Sequence, residues 1–384
     1  MKVAIFTDTY IPEKNGVATS IKQIKEGFEK NGYEVYIFCP KSKKSLKEKN
    51  VFRCSSIQIN KKLDAVIAFP NKRKISKIIQ NYKPDIIHTH SEFTMGKIGK
   101  QIALKQNIPI VHTSHTMWDY YLHYLGILKY FIKPDKMMQK HYNKIKHFIY
   151  PSSKAKERYF QLSNNSNYKI IPNGVDRKLF IKNLNKEKKD EILKKHNIKH
   201  TDKIIIFVGR INKEKNINSL VIHLKDLLIQ NKNYKLLLIG KGSEEKEIKD
   251  FSIKHGLEKQ ILLIGTIPWE EIYYYYKISD IFASLSRSEV YPMTVIEALT
   301  AGIPAILIND YIYKDVIKEG INGFLIKKYE NLSQYIDKVI KNDETLKTFK
   351  QNAKKHSTKF SSHLFTKKIE NYYSEIIAKK KLST

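Results

Sequence analysis

Glu289 and Glu297 lie eight residues apart in the run Ser288-Glu-Val-Tyr-Pro-Met-Thr-Val-Ile-Glu297-Ala-Leu-Thr-Ala-Gly-Ile-Pro304. The apolar stretch before it, 280–285, reads as a strand, and the pattern after it reads as a helix that stops at Gly302. That order puts Glu289 in a loop and Glu297 within the first helical turn, both at the carboxyl edge of a parallel sheet, where open α/β folds bind ligands. The free N–H groups of the helix N-terminus between them suit a phosphate. Two carboxylates for hydroxyls with an anion site between them fit a nucleotide sugar. A plainer reading is also open. Thr294-Val-Ile-Glu297 has capping-box spacing, and Glu289 could be a solvated loop carboxylate.

Other stretches could add to such a site. The run 204–208 ends in Gly209-Arg210-Ile-Asn-Lys-Glu-Lys215, where a guanidinium fork and an ammonium beyond a strand tip could hold a diphosphate. The alternative is solvated surface charge. Near the N-terminus, Thr9-Tyr-Ile-Pro-Glu-Lys-Asn-Gly16-Val17 leads from a strand to a helix, and Gly16 would let backbone approach a phosphate or sugar, or serve only as a turn residue. Seven of the 13 histidines fall between His88 and His147: His88, His90, His112, His115, His123, His141 and His147. No HExxH or Cys/His pair accompanies them, and no Asp-x-Asp offers a divalent ion, so no metal is expected. His115, just past a strand candidate, stands out, with a structural histidine as the alternative.

Residues 116–134 follow it: Thr-Met-Trp118-Asp-Tyr-Tyr121-Leu-His123-Tyr124-Leu-Gly-Ile-Leu128-Lys129-Tyr-Phe131-Ile-Lys133-Pro. Aromatic and aliphatic side chains mixed with Lys129 and Lys133 suit a lipid interface. Core packing must claim some of them, and a stacking platform for nucleic acid is a third reading that no recognition motif supports.

The elements that must position these residues alternate between short β-branched runs and longer helical patterns, the mark of parallel βαβ units. Strands are expected at 3–7, 34–38, 85–88, 109–112 and 147–150, then at 203–208, 235–239, 260–264, 280–284 and 304–308. Helices are expected at 17–31 and 217–230, with Gly32 and Gly256 ending helices. Each set of strands makes a doubly wound sheet. The division is 1–172 and 173–360, with a C-terminal helix at about 361–378 packing back on the first domain.

With 384 residues, 41% hydrophobic and 28% charged, the chain suits a two-domain globular protein. No apolar run is long enough to span a membrane, and Asp8 interrupts the N-terminal run too early for a signal peptide. Cys39 and Cys54 are too few for a disulfide framework and fit a reducing cytoplasm. The net charge of +32 calls for an anionic partner such as a membrane surface or nucleic acid, unless a Lys-rich compositional bias explains it. Residues 1–172 hold 31 Lys/Arg against 12 Asp/Glu and the rest 39 against 26, so the excess is denser in the first part.

Taken together, Glu-x7-Glu with Ala-Leu-Thr-Ala-Gly-Ile-Pro after it, Gly-Arg-Ile-x3-Lys, Ile171-Pro-Asn-Gly-Val-Asp176 and Gly16-Val17 resemble the family 4 retaining glycosyltransferases of GT-B fold, over nearly the whole chain. Ser114-His115-Thr116-Met117-Trp-Asp119-Tyr-Tyr121-Leu-His123-Tyr124 is similar to the segment of bacterial diacylglycerol glucosyltransferases, monotopic enzymes of the cytoplasmic leaflet. One departure stands out: family members carry a glycine between the two glutamates, where this chain has Val290-Tyr291-Pro292, and Pro292 removes a donor.

The resemblance implies two Rossmann-like domains facing a cleft and a hexosyltransferase that moves glucose from UDP-glucose to diacylglycerol with retention. By it, Glu297 binds ribose hydroxyls, Glu289 sugar hydroxyls, and Arg210 and Lys215 the diphosphate, with no metal or other cofactor. The Met293 and Thr294 N–H groups meet the phosphate, Gly16 lets its loop close on the donor, and His115 contacts the sugar or hydrogen-bonds near the reacting centre. Trp118, Tyr121, His123, Tyr124, Leu128, Lys129, Phe131 and Lys133 meet acceptor and anionic lipid, placing the enzyme peripherally on the cytoplasmic face of the membrane. Nucleic acid is not an expected partner. The runner-up is a soluble family member acting on a polysaccharide or small acceptor.

Overall fold

The β-branched runs become strands of two parallel sheets, one in each of two compact units, Met1–Gly174 with Ser362–Thr384 and Val175–Ser361. The structure, a computed structural model, describes residues 1–13, 15–42, 45, 47–60, 65–117, 133–163 and 166–382.

In the first unit the strands are β1 (Lys2–Phe6), β2 (Glu34–Pro40), β3 (Val51–Asn60), β4 (Ala65–Phe69), β5 (Ile86–Thr89), β6 (Ile110–Thr113), β7 (His147–Tyr150) and β8 (Asn167–Ile170). Their order is β4-β3-β2-β1-β5-β6-β7-β8, parallel except for the β3–β4 hairpin. Both faces of β1 are covered, which is why Val3, Ala4, Ile5 and Phe6 are all buried instead of alternating. One face packs on the helices Gly16–Lys30 and Ser362–Lys381, whose Ile24, Phe28, Phe365, Ile369 and Tyr373 share a core with Val3 and Ile5. Glu370 fastens the C-terminal helix further by accepting hydrogen bonds from Tyr33 Oη at 2.7 Å and Asn31 Nδ2 at 3.2 Å.

The second unit contains β9 (Lys203–Val208), β10 (Tyr234–Ile239), β11 (Ile261–Gly265), β12 (Ile281–Ser284), β13 (Ala305–Ile308) and β14 (Gly323–Ile326), all parallel, in the order β11-β10-β9-β12-β13-β14. This is the doubly wound Rossmann order, with its reversal between β9 and β12. Every residue of β10 is buried, as a central parallel strand requires. Leu220, Leu224 and Leu228, at helical spacing on Ile217–Gln230, fill the core beside Ile205 and Leu237. Gly32 and Gly256 take the left-handed conformation at helix ends, as expected, and so does Gly302, at φ 90°.

Candidate functional site

The reversal point of the second sheet explains why residues far apart in sequence meet. Loops leaving neighbouring strands on either side of it diverge and leave a crevice at the carboxyl ends. Lys215 comes from the loop after β9 and Glu289 from the loop after β12. Lys215 Nζ donates to Glu289 Oε1 at 2.5 Å, with the two side chains only 12% and 21% exposed. The same oxygen accepts from Ser286 Oγ at 3.1 Å. Ser286 is fully buried, and its carbonyl accepts from Tyr313 Oη at 2.8 Å, so the loop is pinned from beneath. Arg210 sits at the strand tip with Nη2 3.3 Å from the carboxylate of Glu214, whose side chain is buried. Two cations and a carboxylate on adjoining strand tips can hold a diphosphate and a hydroxylated ring.

A second loop, after β10, holds the cationic loop in place. Asn212 Oδ1 accepts from the Ser243 N–H at 2.8 Å, and the Ile211 N–H donates to the Lys241 carbonyl at 3.0 Å. Gly240 makes this approach possible: a Cβ there would lie 1.9 Å from the Gly209 carbonyl oxygen, and its φ is 138°. Sequence reading missed Asn212 and Gly240, although Gly240-Lys-Gly242 after an apolar run was a visible sign of close backbone approach. Gly240→Ala is expected to destabilise the protein by about 2–3 kcal/mol, from backbone clash and φ strain together. An unchanged urea midpoint would reject the close approach.

The helix after Glu289 is Met293–Ala301, so Glu297 is its fifth residue and belongs to the second turn, not the first as the pattern suggested. The capping-box alternative fails too. The helix has no side-chain cap, and Glu297 Oε2 instead accepts from Tyr276 Oη at 3.1 Å. Burial raises the Glu297 carboxyl to about 7, against the opposing hydrogen bonds from Tyr276 and Trp269. The Met293 N–H, expected to face a phosphate, is taken up by the Tyr291 carbonyl at 3.0 Å, because Pro292 bends the chain there. Of the expected pair of donors, Thr294 is left.

In the first unit Gly16 is the exposed first residue of its helix, capped by Asn15, whose Oδ1 accepts from the Ala18 N–H at 2.9 Å. Asp8, which the sequence did not mark as a site residue, is a half-buried carboxylate that accepts from Ser91 Oγ at 2.5 Å and from the Met95 N–H at 3.1 Å. It thereby caps the helix Thr94–Lys105 from the tip of β1, while burial raises its pKa. The histidines hydrogen-bond one another. His115 Nε2 is 2.8 Å from His90 Nδ1, and His90 Nε2 is 3.0 Å from His88 Nδ1. His112 lies beside Glu92 at 3.4 Å, and His141 stacks edge-on against it. Among the described residues no three His, Cys, Asp or Glu side chains group as a metal site would need. Lys133 is exposed ahead of the helix Pro134–Tyr142. Trp118, Tyr121, His123, Tyr124, Leu128, Lys129 and Phe131 lie outside the described residues.

Comparison with known proteins accounts for both halves. Residues 14–179 match the glycosyltransferase family 4 model and residues 188–356 the model for glycosyl transferases group 1. Alpha-monoglucosyldiacylglycerol synthase of Acholeplasma laidlawii is 31% identical, covering 99% of this chain and 98% of its own. The protein of the same name from Streptococcus pneumoniae is 29% identical over 85% of this chain and 75% of its own. The crystal structure of Anabaena HepE in complex with UDP superposes with a TM-score of 0.77 at 18% identity, covering 98% of this chain and 100% of that one. From its doubly wound sheets to a relative matched nearly end to end, the chain belongs to the family 4 glycosyltransferases and has the GT-B fold.

Proposed function

We propose that this glycosyltransferase moves glucose from UDP-glucose to the free hydroxyl of diacylglycerol, with retention, at an anionic membrane surface. The observation that carries the reading is the nearly end-to-end match to a relative whose name contains both the glucosyl group and the lipid. The Lys215–Glu289 pair at the reversal point supports it with suitable chemistry. In this reading Arg210 and Lys215 neutralise the departing diphosphate with preorganised side-chain charge, in the place a metal takes elsewhere. Glu289 holds sugar hydroxyls, Glu297 ribose hydroxyls, and the Thr294 N–H the phosphate. Gly16 leaves room for the donor at its helix N-terminus. His115 and the stretch 118–133 serve the reacting hydroxyls and the lipid. No helix among the described residues is long and apolar enough to cross a membrane. Contact with lipid is therefore assigned to the basic and aromatic side chains of that stretch.

The test is incubation of the full chain with UDP-glucose and diacylglycerol vesicles, with and without anionic lipid, followed by product analysis. An α-linked glucosyldiacylglycerol is expected. Transfer to a soluble acceptor with no glycolipid formed would favour the runner-up instead. Neutralising Lys129 and Lys133 should weaken binding to anionic vesicles and flatten its salt dependence. Unchanged co-sedimentation would count against the interface.

A further inference from the structure

The histidines do more than fill the first unit. His115, half-buried past the tip of β6, begins a line that runs through His90 and His88 to Tyr373 on the C-terminal helix. His90 is almost fully buried, and His88 and Tyr373 are fully so. The spacings are 2.8 Å, 3.0 Å and 2.5 Å in order, and His88 Nε2 is 2.7 Å from Thr113 Oγ1. Burial holds His88 and His90 well below the ordinary histidine value and pushes His115 down to about 3, so all three rings are neutral near pH 7. A neutral imidazole has one N–H and one lone pair, so the role of one nitrogen decides that of the other.

The direction of the line follows from its buried end. His88 Nδ1 is the one hydrogen-bond partner of the Tyr373 hydroxyl among the described residues. A phenol is more acidic than the Thr113 hydroxyl and donates more strongly, so Tyr373 gives its hydrogen to Nδ1. His88 Nε2–H then donates to Thr113 Oγ1. The single Nδ1 lone pair is thereby taken, and His90 Nε2, 3.0 Å from that nitrogen with the two rings 3.8 Å apart at 41°, approaches it from the ring face. Nε2 carries the hydrogen, because a bare nitrogen would be repelled by the partial negative charge on Nδ1. His90 Nδ1 is therefore an acceptor, and His115 Nε2–H donates to it. His115 is left with a lone pair on Nδ1, which makes no hydrogen bond among the described residues.

We propose that Tyr373, His88 and His90 form a directional relay that holds His115 in the Nε2–H tautomer, so that its Nδ1 accepts from an alcohol hydroxyl of the bound substrate. The three are positioning residues. The proposal extends the glycosyl-transfer reading, but its first test does not depend on it.

Long-range ¹H–¹⁵N correlation on the full chain labelled at histidine reads each tautomer without any substrate, with His115→Gln identifying the His115 signals. The wild type is expected to show His115 protonated at Nε2, and Tyr373→Phe, which removes the directing hydrogen, a mixture of tautomers. His115 protonated at Nδ1 in the wild type would overturn the relay, as would a tautomer unchanged in Tyr373→Phe. In the kinetic arm, with UDP-glucose and diacylglycerol, Tyr373→Phe should lower kcat/KM about tenfold, the scale of one buried hydrogen bond. In a His115→Gln background it should cost almost nothing further, whereas independent effects would multiply and reject the relay. A KM raised for the nucleotide sugar would place the accepted hydroxyl on the sugar, and one raised for the lipid would place it on the glycerol. Loss of all transfer with the expected tautomers intact would reject the proposed reaction and leave the relay standing.

Discussion

Lys215→Ala is expected to lower kcat by roughly 10²-fold or more, the scale of losing one preorganised charge at a transition state, and Arg210→Ala to do the same. The two losses have different physical origins. Lys215 shares a half-enclosed contact with Glu289, so its removal strips a carboxylate of its counter-charge as well as removing a cation. Arg210 is 38% exposed and pairs with Glu214, so Arg210→Lys keeps the charge but loses the planar fork. Arg210→Lys should therefore recover only part of the turnover. The coupling between Lys215 and Glu289 can be read from a double-mutant cycle: Glu289→Ala in the Lys215→Ala background should cost much less than it does alone. Measurement at saturating UDP-glucose with diacylglycerol vesicles decides the matter. Near wild-type turnover in both alanine variants would remove Arg210 and Lys215 from the chemistry.

Much of this site could be read from residue order, because a doubly wound sheet turns sequence into position. A strand that ends in Gly209-Arg210 and another that ends before Glu289 must both deliver their loops to the same edge. The sequence could not show that β9 and β12 are neighbours across the reversal, since sheet order depends on long-range packing. Hence the Lys215–Glu289 contact emerged only in the fold. Side-chain partners were hidden for the same reason. Tyr276 has no mark that points it at Glu297, and Tyr373 lies 285 residues along the chain from His88. Four strands escaped the periodicity reading. All four residues of β8 are exposed, β3 is diluted by Cys54-Ser-Ser56, and β4 and β14 have only five and four residues. Of these, β4, β8 and β14 are edge strands, which carry little hydrophobic signal because one of their sides faces water.

Glu297→Gln should raise stability at pH 8 while weakening donor binding, a pairing that a merely structural glutamate would not give. The carboxyl is held at about 7 in the folded protein against an ordinary value of 4.5, with burial as the main cause. A raised carboxyl value means that the folded state binds the proton more tightly. The contribution is fully present below about pH 4.5 and is lost as pH rises through about 7, a swing of roughly 3 kcal/mol if the whole shift is expressed. Gln cannot ionise, yet its Oε1 can still accept from Tyr276, so the variant should lose this slope and gain most of the swing at pH 8. The buried histidines act in the opposite sense. Burial depresses His88, His90, His112, His115 and His141, so their contribution is present above the ordinary histidine range and fades as pH falls. Only the difference between wild type and variant isolates Glu297, so urea midpoints are compared at pH 5 and pH 8. If the ionised carboxylate holds ribose hydroxyls, UDP-glucose affinity in the wild type should rise as pH passes through 7, and the variant's should not. Parallel stability curves would show that Glu297 does not titrate in this range. A variant that binds UDP-glucose like the wild type would free Glu297 of its ribose role.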